Sequence, residues 1–226
     1  MKISYYGHSC FGVETNGKTL LFDPFISPNA LAKHIDINSV LAHYILISHG
    51  HMDHLADAAT IAWRTGATII SNFEITVWFN KQGLEKTHPL NHGGGHSFEF
   101  GRVKFVNAIH SSSLPDGTYG GNPGGFVVDA KEASFYYSGD TALTMDMKLI
   151  PEFSNLRFAA LPIGDNYTMG VDEALKAAEF VRCAEILGLH YNTFPPIQID
   201  SAKAVQRFKE AGKRLHLLKP GETQDF

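Results

Sequence analysis

The chain has 226 residues, 44% of them hydrophobic and 19% charged, an ordinary globular mixture that excludes intrinsic disorder and fits one domain over residues 1–226. Its 19 Lys and Arg against 23 Asp and Glu give a net charge of −4, so nothing in the overall charge points to nucleic acid as a partner. From the start, Cys10–Glu14 and Thr19–Phe22 read as strands flanking Asn16-Gly17, a strong hairpin turn. Tyr44–Ser48 is a short apolar run rich in strand formers and leads directly into His49. Ala56–Arg64 reads as a helix stopping at Gly66, Ala67–Ser71 as a strand, and Phe73–Gln82 as a helix ended by Gly83. The middle returns to strands: Arg102 onward to Ile109, Gly125–Asp129 and Ser134–Ser138. In the last third, strands at Phe158–Ile163 and Glu185–His190 alternate with amphipathic helices at Val171–Ala184 and Ser201–Arg214. Asp200 is placed to cap the second of these helices, with Lys213 and Arg214 at its end. Each half therefore opens with hairpins and closes with helix–strand alternation, which predicts a layered α/β domain.

Twelve histidines stand out, and their clustering carries the chemistry. His49-Gly50-His51-Met52-Asp53-His54 packs four metal-competent side chains into six residues immediately after a buried strand. Imidazole and carboxylate together suit zinc, and also manganese, nickel or iron. In extended chain His49, His51 and Asp53 fall on one side, and a turn into the following helix brings His54 round. Gly50 lets the loop bend tightly. Cys10 and Cys183 have no partner pattern for a thiol nucleophile and make no disulfide framework, so a cytoplasmic protein is expected. No apolar stretch is long enough to span a membrane, and residues 1–6 lack the apolar run of a signal peptide.

The His-x-His-x-Asp-His spacing resembles the signature of the metallo-β-lactamase superfamily. That family needs three further ligands in order, and His110, Asp140 and His190 are candidates, each at or just beyond the end of an expected strand. Within the superfamily the chain is similar to a branch of prokaryotic metal-dependent hydrolases, to ascorbate-phosphate lactonases and to phospholipase-D-like zinc hydrolases. Tyr6–Phe11, Leu21–Phe25 and Gly164–Gly170 carry this closer likeness.

The resemblance implies a four-layer αβ/βα sandwich with two divalent ions, zinc first among the candidates, at one edge of its sheets. His49, His51 and His110 would hold one ion, Asp53, His54 and His190 the other, and Asp140 would bridge them. A hydroxide held between the ions would attack an ester, lactone or phosphoester of a small polar substrate, with Asp53 orienting it. His8 is a candidate for substrate contact or proton transfer, Asp23 for a carboxylate behind a ligand histidine, and Asn166 and Thr168 for substrate binding. Self-association is expected from related members. The alternatives are a phosphodiesterase or nuclease of the same fold, a diiron redox protein and a non-catalytic metal-binding module. His51, at a position where the redox branch has a carboxylate, argues against the second, and the full ligand set against the third. His34, His43, His88, His96 and His216 have no ligand-like spacing and read as surface or loop residues. His92 precedes three glycines and borders a possible site rim. The Gly-rich stretch 116–125 reads as a mobile segment beside His110.

Overall fold

Alternation along the strands sets the architecture. In the computed structural model, which describes residues 1–226, Leu20 and Phe22 face one core while Leu21 between them faces another. Phe158 and Ala160 likewise turn inward, and Ala159 and Leu161 outward. Strands that are apolar on both faces must be covered on both sides.

The first sheet contains β1 (Lys2–Gly7), β2 (Cys10–Thr15), β3 (Lys18–Phe22), β4 (Tyr44–Leu46), β5 (Thr68–Asn72) and β6 (Thr87–Leu90). The second contains β7 (Gly95–Phe98), β8 (Gly101–Asn107), β9 (Gly124–Ala130), β10 (Ser134–Tyr137), β11 (Leu156–Pro162), β12 (Glu185–Leu189) and β13 (Arg214–His216). Finally β14 (Thr223–Asp225) returns to the first sheet, antiparallel to β1. Both sheets follow one plan. Antiparallel pairing through β3 and β10 gives way to parallel pairing after them.

The cluster between the sheets includes Phe11, Phe22, Phe126, Phe135 and Phe158. Phe11 stacks on Phe22 at 4.5 Å and Phe135 on Phe158 at 4.8 Å. Truncating one such buried ring to alanine costs about 3–5 kcal/mol. On the outside of the first sheet lie α1 (Met52–Leu55), α2 (Ala58–Thr65) and α3 (Phe73–Lys81), with Ile61 and Phe79 packed against Ile45 and Ile69. On the outside of the second lie α4 (Val171–Phe180) and α5 (Ser201–Glu210), with Ala178 and Phe208 against Leu161 and Ile186. The result is the four-layer αβ/βα sandwich. No helix is long and apolar enough to cross a membrane.

Several elements differ from the sequence reading. The helix expected at Ala56–Arg64 is α2, Ala58–Thr65, ended by Gly66 as expected; the single turn α1 before it was not expected, and between the two the Asp57 carboxylate accepts the backbone N–H groups of Ile26 and Ser27. The helix begun at Val171 stops at Phe180, and Arg182 turns left-handed at φ 53°. The helix begun at Ser201 is capped by Asp200 but ends at Glu210. Lys213 instead donates to the carbonyls of Ala178 and Cys183, and Arg214 opens β13. His88, His96 and His216 lie on the strands β6, β7 and β13, His96 exposed and the other two partly so, which agrees with the surface placement expected of them.

Candidate metal centre

Because β1, β3 and β4 share one direction, as do β8, β10 and β12, all six deliver their carboxyl ends to a single edge of the sandwich. Each is followed there by one of the residues singled out above: His8, Asp23, His49, His110, Asp140 and His190. His8, Asp23 and His190 leave their strands in the left-handed region, at φ 56°, 40° and 53°. Such backbone costs about 1–3 kcal/mol per residue and is tolerated where surrounding contacts fix it. Here the His190 N–H donates to the His8 carbonyl at 3.0 Å, tying two of the three together.

After β4 the chain passes Gly50, where a Cβ would lie 3.2 Å from the Ser113 carbonyl oxygen. The Gly50 N–H is held by the Ser112 hydroxyl at 3.0 Å. The single turn of α1 then carries His54 back toward His49, with ring centroids 4.1 Å apart.

The donor atoms fall into two groups. His49, His51 and His110 form one, with His49 Nε2 2.9 Å from His51 Nδ1. Asp53, His54, His190 and His8 form the other. Asp140 Oδ2 lies between them, 3.7 Å from His110 Nε2, 3.2 Å from His54 Nε2 and 3.0 Å from His190 Nε2. Asp53 Oδ2 is 3.8 Å from the Nε2 atoms of both His54 and His190.

Hydrogen bonds behind these donors orient them. The buried Asp23 accepts from Ser48 N at 2.8 Å, Ser48 Oγ at 2.5 Å, Tyr137 Oη at 2.5 Å and His54 Nδ1 at 2.6 Å. The last bond puts the His54 proton on Nδ1 and leaves Nε2 facing Asp140. His49 Nδ1 meets Ser48 Oγ at 2.9 Å, which likewise turns its Nε2 toward His51. Asp23 also lies near His49 and His54 as a potential donor, but its oxygens are already committed to these four bonds. The buried His8 bridges Thr193 Oγ1 at 2.9 Å and Asp53 Oδ2 at 3.0 Å.

Electrostatics divide the cluster. Burial pushes His49 well below the ordinary histidine range and takes His8 down to about 4. Burial acts the same way on His54 and His190, but carboxylates outweigh it. Asp140, Asp23 and Asp53 raise His54, and Asp140 and Asp53 raise His190 to about 9. Against its own burial, Asp53 is held below the usual carboxylate range by His54, His190 and His8.

The donor set fits divalent metal binding. His54 Nε2, Asp140 Oδ1 and His190 Nδ1 are buried without a hydrogen-bond partner. His54 Nε2 approaches Asp140 Oδ2 closely yet lacks the alignment of a hydrogen bond. Buried polar atoms are normally paired, and a cation in the cluster would satisfy His54 Nε2 and the Asp140 carboxylate; His190 turns Nε2, not Nδ1, toward the same place. Three imidazoles on one side, two imidazoles and a carboxylate on the other, and a carboxylate between make a ligand set suited to zinc and similar ions.

Other residues singled out in the sequence lie apart from this cluster. His92 Nε2 meets the Pro123 carbonyl at 2.9 Å, and its ring stacks on Phe105. No hydrogen bond joins Asn166 or Thr168 to the donors; the Thr168 hydroxyl turns back to Met169 O at 3.3 Å. The stretch 116–125 is braced rather than loose. The Gly120 carbonyl accepts from Asn72 Nδ2 and Ser112 Oγ, and Asp116 from Trp78 Nε1. Both thiols are buried and burial raises their pKa values, as expected for cysteines that are not nucleophiles. Ser48, Tyr137, Ser112 and Thr193 went unnoticed in the sequence. Ser48 and Tyr137 adjoin the expected ligand segments, whereas Thr193 becomes apparent only when His8 and His190 are brought together.

Residues 2–190 match the β-lactamase superfamily domain. The chain belongs to the metallo-β-lactamase superfamily, as its layers and donor cluster indicate. Within that superfamily it is 53% identical over 223 residues to a UPF0173 metal-dependent hydrolase of Methylacidiphilum infernorum, covering 99% of each chain. A UPF0173 metal-dependent hydrolase of Flavobacterium johnsoniae is 52% identical with the same coverage. Among solved structures, Igni18, a metallo hydrolase from the archaeon Ignicoccus hospitalis, is 33% identical with a TM-score of 0.89, over 100% of this chain and 98% of that one.

Proposed function

We propose that this metal-dependent hydrolase holds two divalent cations, zinc first among them, and cleaves an ester, lactone or phosphoester bond in a small polar substrate. The reading rests on one observation: donors from both sheets converge on two sides of Asp140 Oδ2. His49, His51 and His110 would hold one cation, Asp53, His54 and His190 the other, with Asp140 common to both. Such a pair supplies Lewis acidity and lowers the pKa of water toward about 7.

The chain's own residues do the rest. Asp23 fixes the His54 proton on Nδ1, so that Nε2 stays free as a ligand. The Asp53 side chain is 29% exposed, whereas that of Asp140 is 3% exposed. Asp53 is thus the carboxylate on the open side, placed to orient a nucleophile and hold its proton. His8, hydrogen bonded to Asp53, can pass that proton toward a leaving group. Asn166 and Thr168 lie on the loop after β11, at the same edge. Met169 N of that loop donates to the carbonyl of Thr141, next to Asp140, which supports a role for the pair in substrate contact. Two divalent cations outweigh the carboxylates of Asp53 and Asp140, so an anionic substrate or one gaining charge during reaction is favoured.

The test is metal analysis together with turnover of chromogenic esters, lactones and phosphodiesters, with and without chelator. Two cations per chain and chelator-sensitive hydrolysis are expected. Hydrolysis that survives complete cation removal, or a cation-loaded protein inert toward all three bond types, would overturn the reading.

A further inference from the structure

The donors lie in segments 8–9, 47–57, 108–123, 138–147 and 190–199, and segments 23–29 and 163–170 leave their strands at the same edge. None of these segments contains a lysine or an arginine. Apart from the donors and Asp23, their charged side chains are Asp57, Asp116, Asp146 and Asp165, all acidic. Of the lysines a few residues away, Lys104 and Lys148 lie over the Phe153 and Phe180 rings, and Lys203 pairs with Asp200. Lys33 and Lys219, the second of them after β13 at the same edge, are exposed. A charged group on a substrate, remote from the bond that breaks, would thus meet an acidic surround if it were an anion.

The same segments leave apolar side chains in water. Met52, between His51 and Asp53, Ile109, beside His110, and Tyr167 are each more than half exposed. Phe194 has the best-defined place among them, 36% exposed. Its ring meets that of His8 edge-on, centroids 5.4 Å apart, and that of Phe25 at 6.3 Å. His8 Nε2 in turn meets Asp53 Oδ2 at 3.0 Å, so a single imidazole separates the phenyl ring from the carboxylate on the open side. The chain fixes the ring there. Thr193 Oγ1 meets His8 Nδ1 at 2.9 Å, two prolines follow Phe194 in the 3-10 turn Pro195–Ile197, and Ile197 N donates to the Phe194 carbonyl at 3.1 Å. A half-exposed aromatic wall held in place beforehand receives an apolar group with little loss of freedom.

We propose, resting on the two-cation hydrolase reading, that the substrate is an uncharged ester or lactone whose leaving oxygen carries an apolar, above all aromatic, group, and that Phe194 selects it by packing against that group. His8 passes the proton on this side, so the oxygen that leaves is the one beside Phe194. The oxygen of water bonds to the acyl carbon, and the acyl C–O bond breaks with its electron pair going to the leaving oxygen. One proton of the water reaches that oxygen through Asp53 and His8, and the other goes with the acid. Charge then develops only at the reacting atoms, and the rest of the substrate brings none to the acidic surround.

The test uses the full cation-loaded chain, with and without chelator, on methyl, benzyl and p-carboxybenzyl acetate, whose alcohols are similar leaving groups; acid release is the readout. In the parent, kcat/KM for benzyl acetate should exceed that for methyl acetate about tenfold and that for p-carboxybenzyl acetate about fivefold. Phe194→Ala should bring the benzyl-to-methyl ratio close to one, and Phe194→Tyr, which keeps a ring, should preserve it. A general disturbance of His8 slows both esters together; an unchanged ratio in Phe194→Ala would therefore overturn the proposal. So would a preference for the p-carboxybenzyl ester, and its loss in Lys33→Met or Lys219→Met would identify the lysine that receives the anion. Chelator-sensitive cleavage of bis(p-nitrophenyl) phosphate with none of the acetates cleaved would overturn the proposal and leave the two-cation hydrolase reading standing. No chelator-sensitive cleavage of any of these compounds would overturn both.

Discussion

Replacing Asp23 with asparagine tests how the histidine ligands are oriented. Asparagine tolerates the left-handed backbone at this position, where φ is 40°, so the main chain need not move. The change acts on four donors. With its amide oxygen kept on Ser48 N, the amide nitrogen replaces the oxygen that now accepts from Ser48 Oγ, Tyr137 Oη and His54 Nδ1. The two hydroxyls can rotate to become acceptors. His54 Nδ1 can accept only if the ring proton moves to Nε2, the atom that faces Asp140. A ligand nitrogen is then lost. Removing such an orienting partner typically costs 10–100-fold in metal affinity, or about 1.4–2.8 kcal/mol. In the cation-free protein the cost falls on folding instead. Losing one partner of a buried pair costs about 3–5 kcal/mol, and the lower end applies because Asp140 and Asp53 still face His54. Competition against a chromogenic chelator reads the affinity, and thermal melts of chelated protein read the stability. Tyr137→Phe is the control: it should cost about 1 kcal/mol in stability and leave affinity near the parent value. If Asp23→Asn lowers stability yet binds both cations with parental affinity, the orientation argument is wrong and Asp23 serves folding alone.

Asp140→Ala should weaken both cations, whereas His49→Ala should release one and keep the other; metal content after dialysis distinguishes the two patterns. In cation-free protein His190 rises from about 6.5 to about 9, so its contribution to stability is complete below about pH 6.5 and lost as pH climbs through 9. Chelated protein should therefore melt at progressively lower temperature across that window. Cation affinity should rise over the same window, because the incoming ion displaces a proton; a flat melting profile together with pH-independent affinity would contradict both. A Cβ at Gly164 would lie 2.0 Å from the His190 carbonyl oxygen, so Gly164→Ala must displace His190. It should cost about 1–3 kcal/mol in stability and lower cation content, and unchanged crystallographic positions for His190 with full metal occupancy would refute this.

The segments legible in the sequence were those whose pattern repeats the physics of their surroundings. Tyr44–Ile47 and Phe158–Ile163 are apolar on both faces because helices cover one side and the opposite sheet the other. His49 to His54 announces itself by local density of donors. The less legible elements lie at sheet edges or act over distance. β6, β7 and β14 are short, and their polar side chains carry no strong period because such edges are incompletely covered. The early end of α5 depends on Gly212 turning at φ 70° and on Lys213 reaching the carbonyls that follow α4. Propensity within the helix contains neither fact. Similarly, Ser48, Tyr137 and Thr193 acquire their partners only after strands far apart in sequence share one edge.

The two sheets contribute unequally to that edge. His49, His51, Asp53 and His54 follow β4, while His110, Asp140 and His190 come from the other sheet. Any ion bridging the groups would therefore act as a rivet through two separate plates. Chelation should loosen the joint at one rim while the phenylalanine-filled interior still grips, so amide exchange should quicken first around residues 48–54, 108–112 and 138–142. A cell's supply of cations would then set how long the enzyme survives as well as how fast it works.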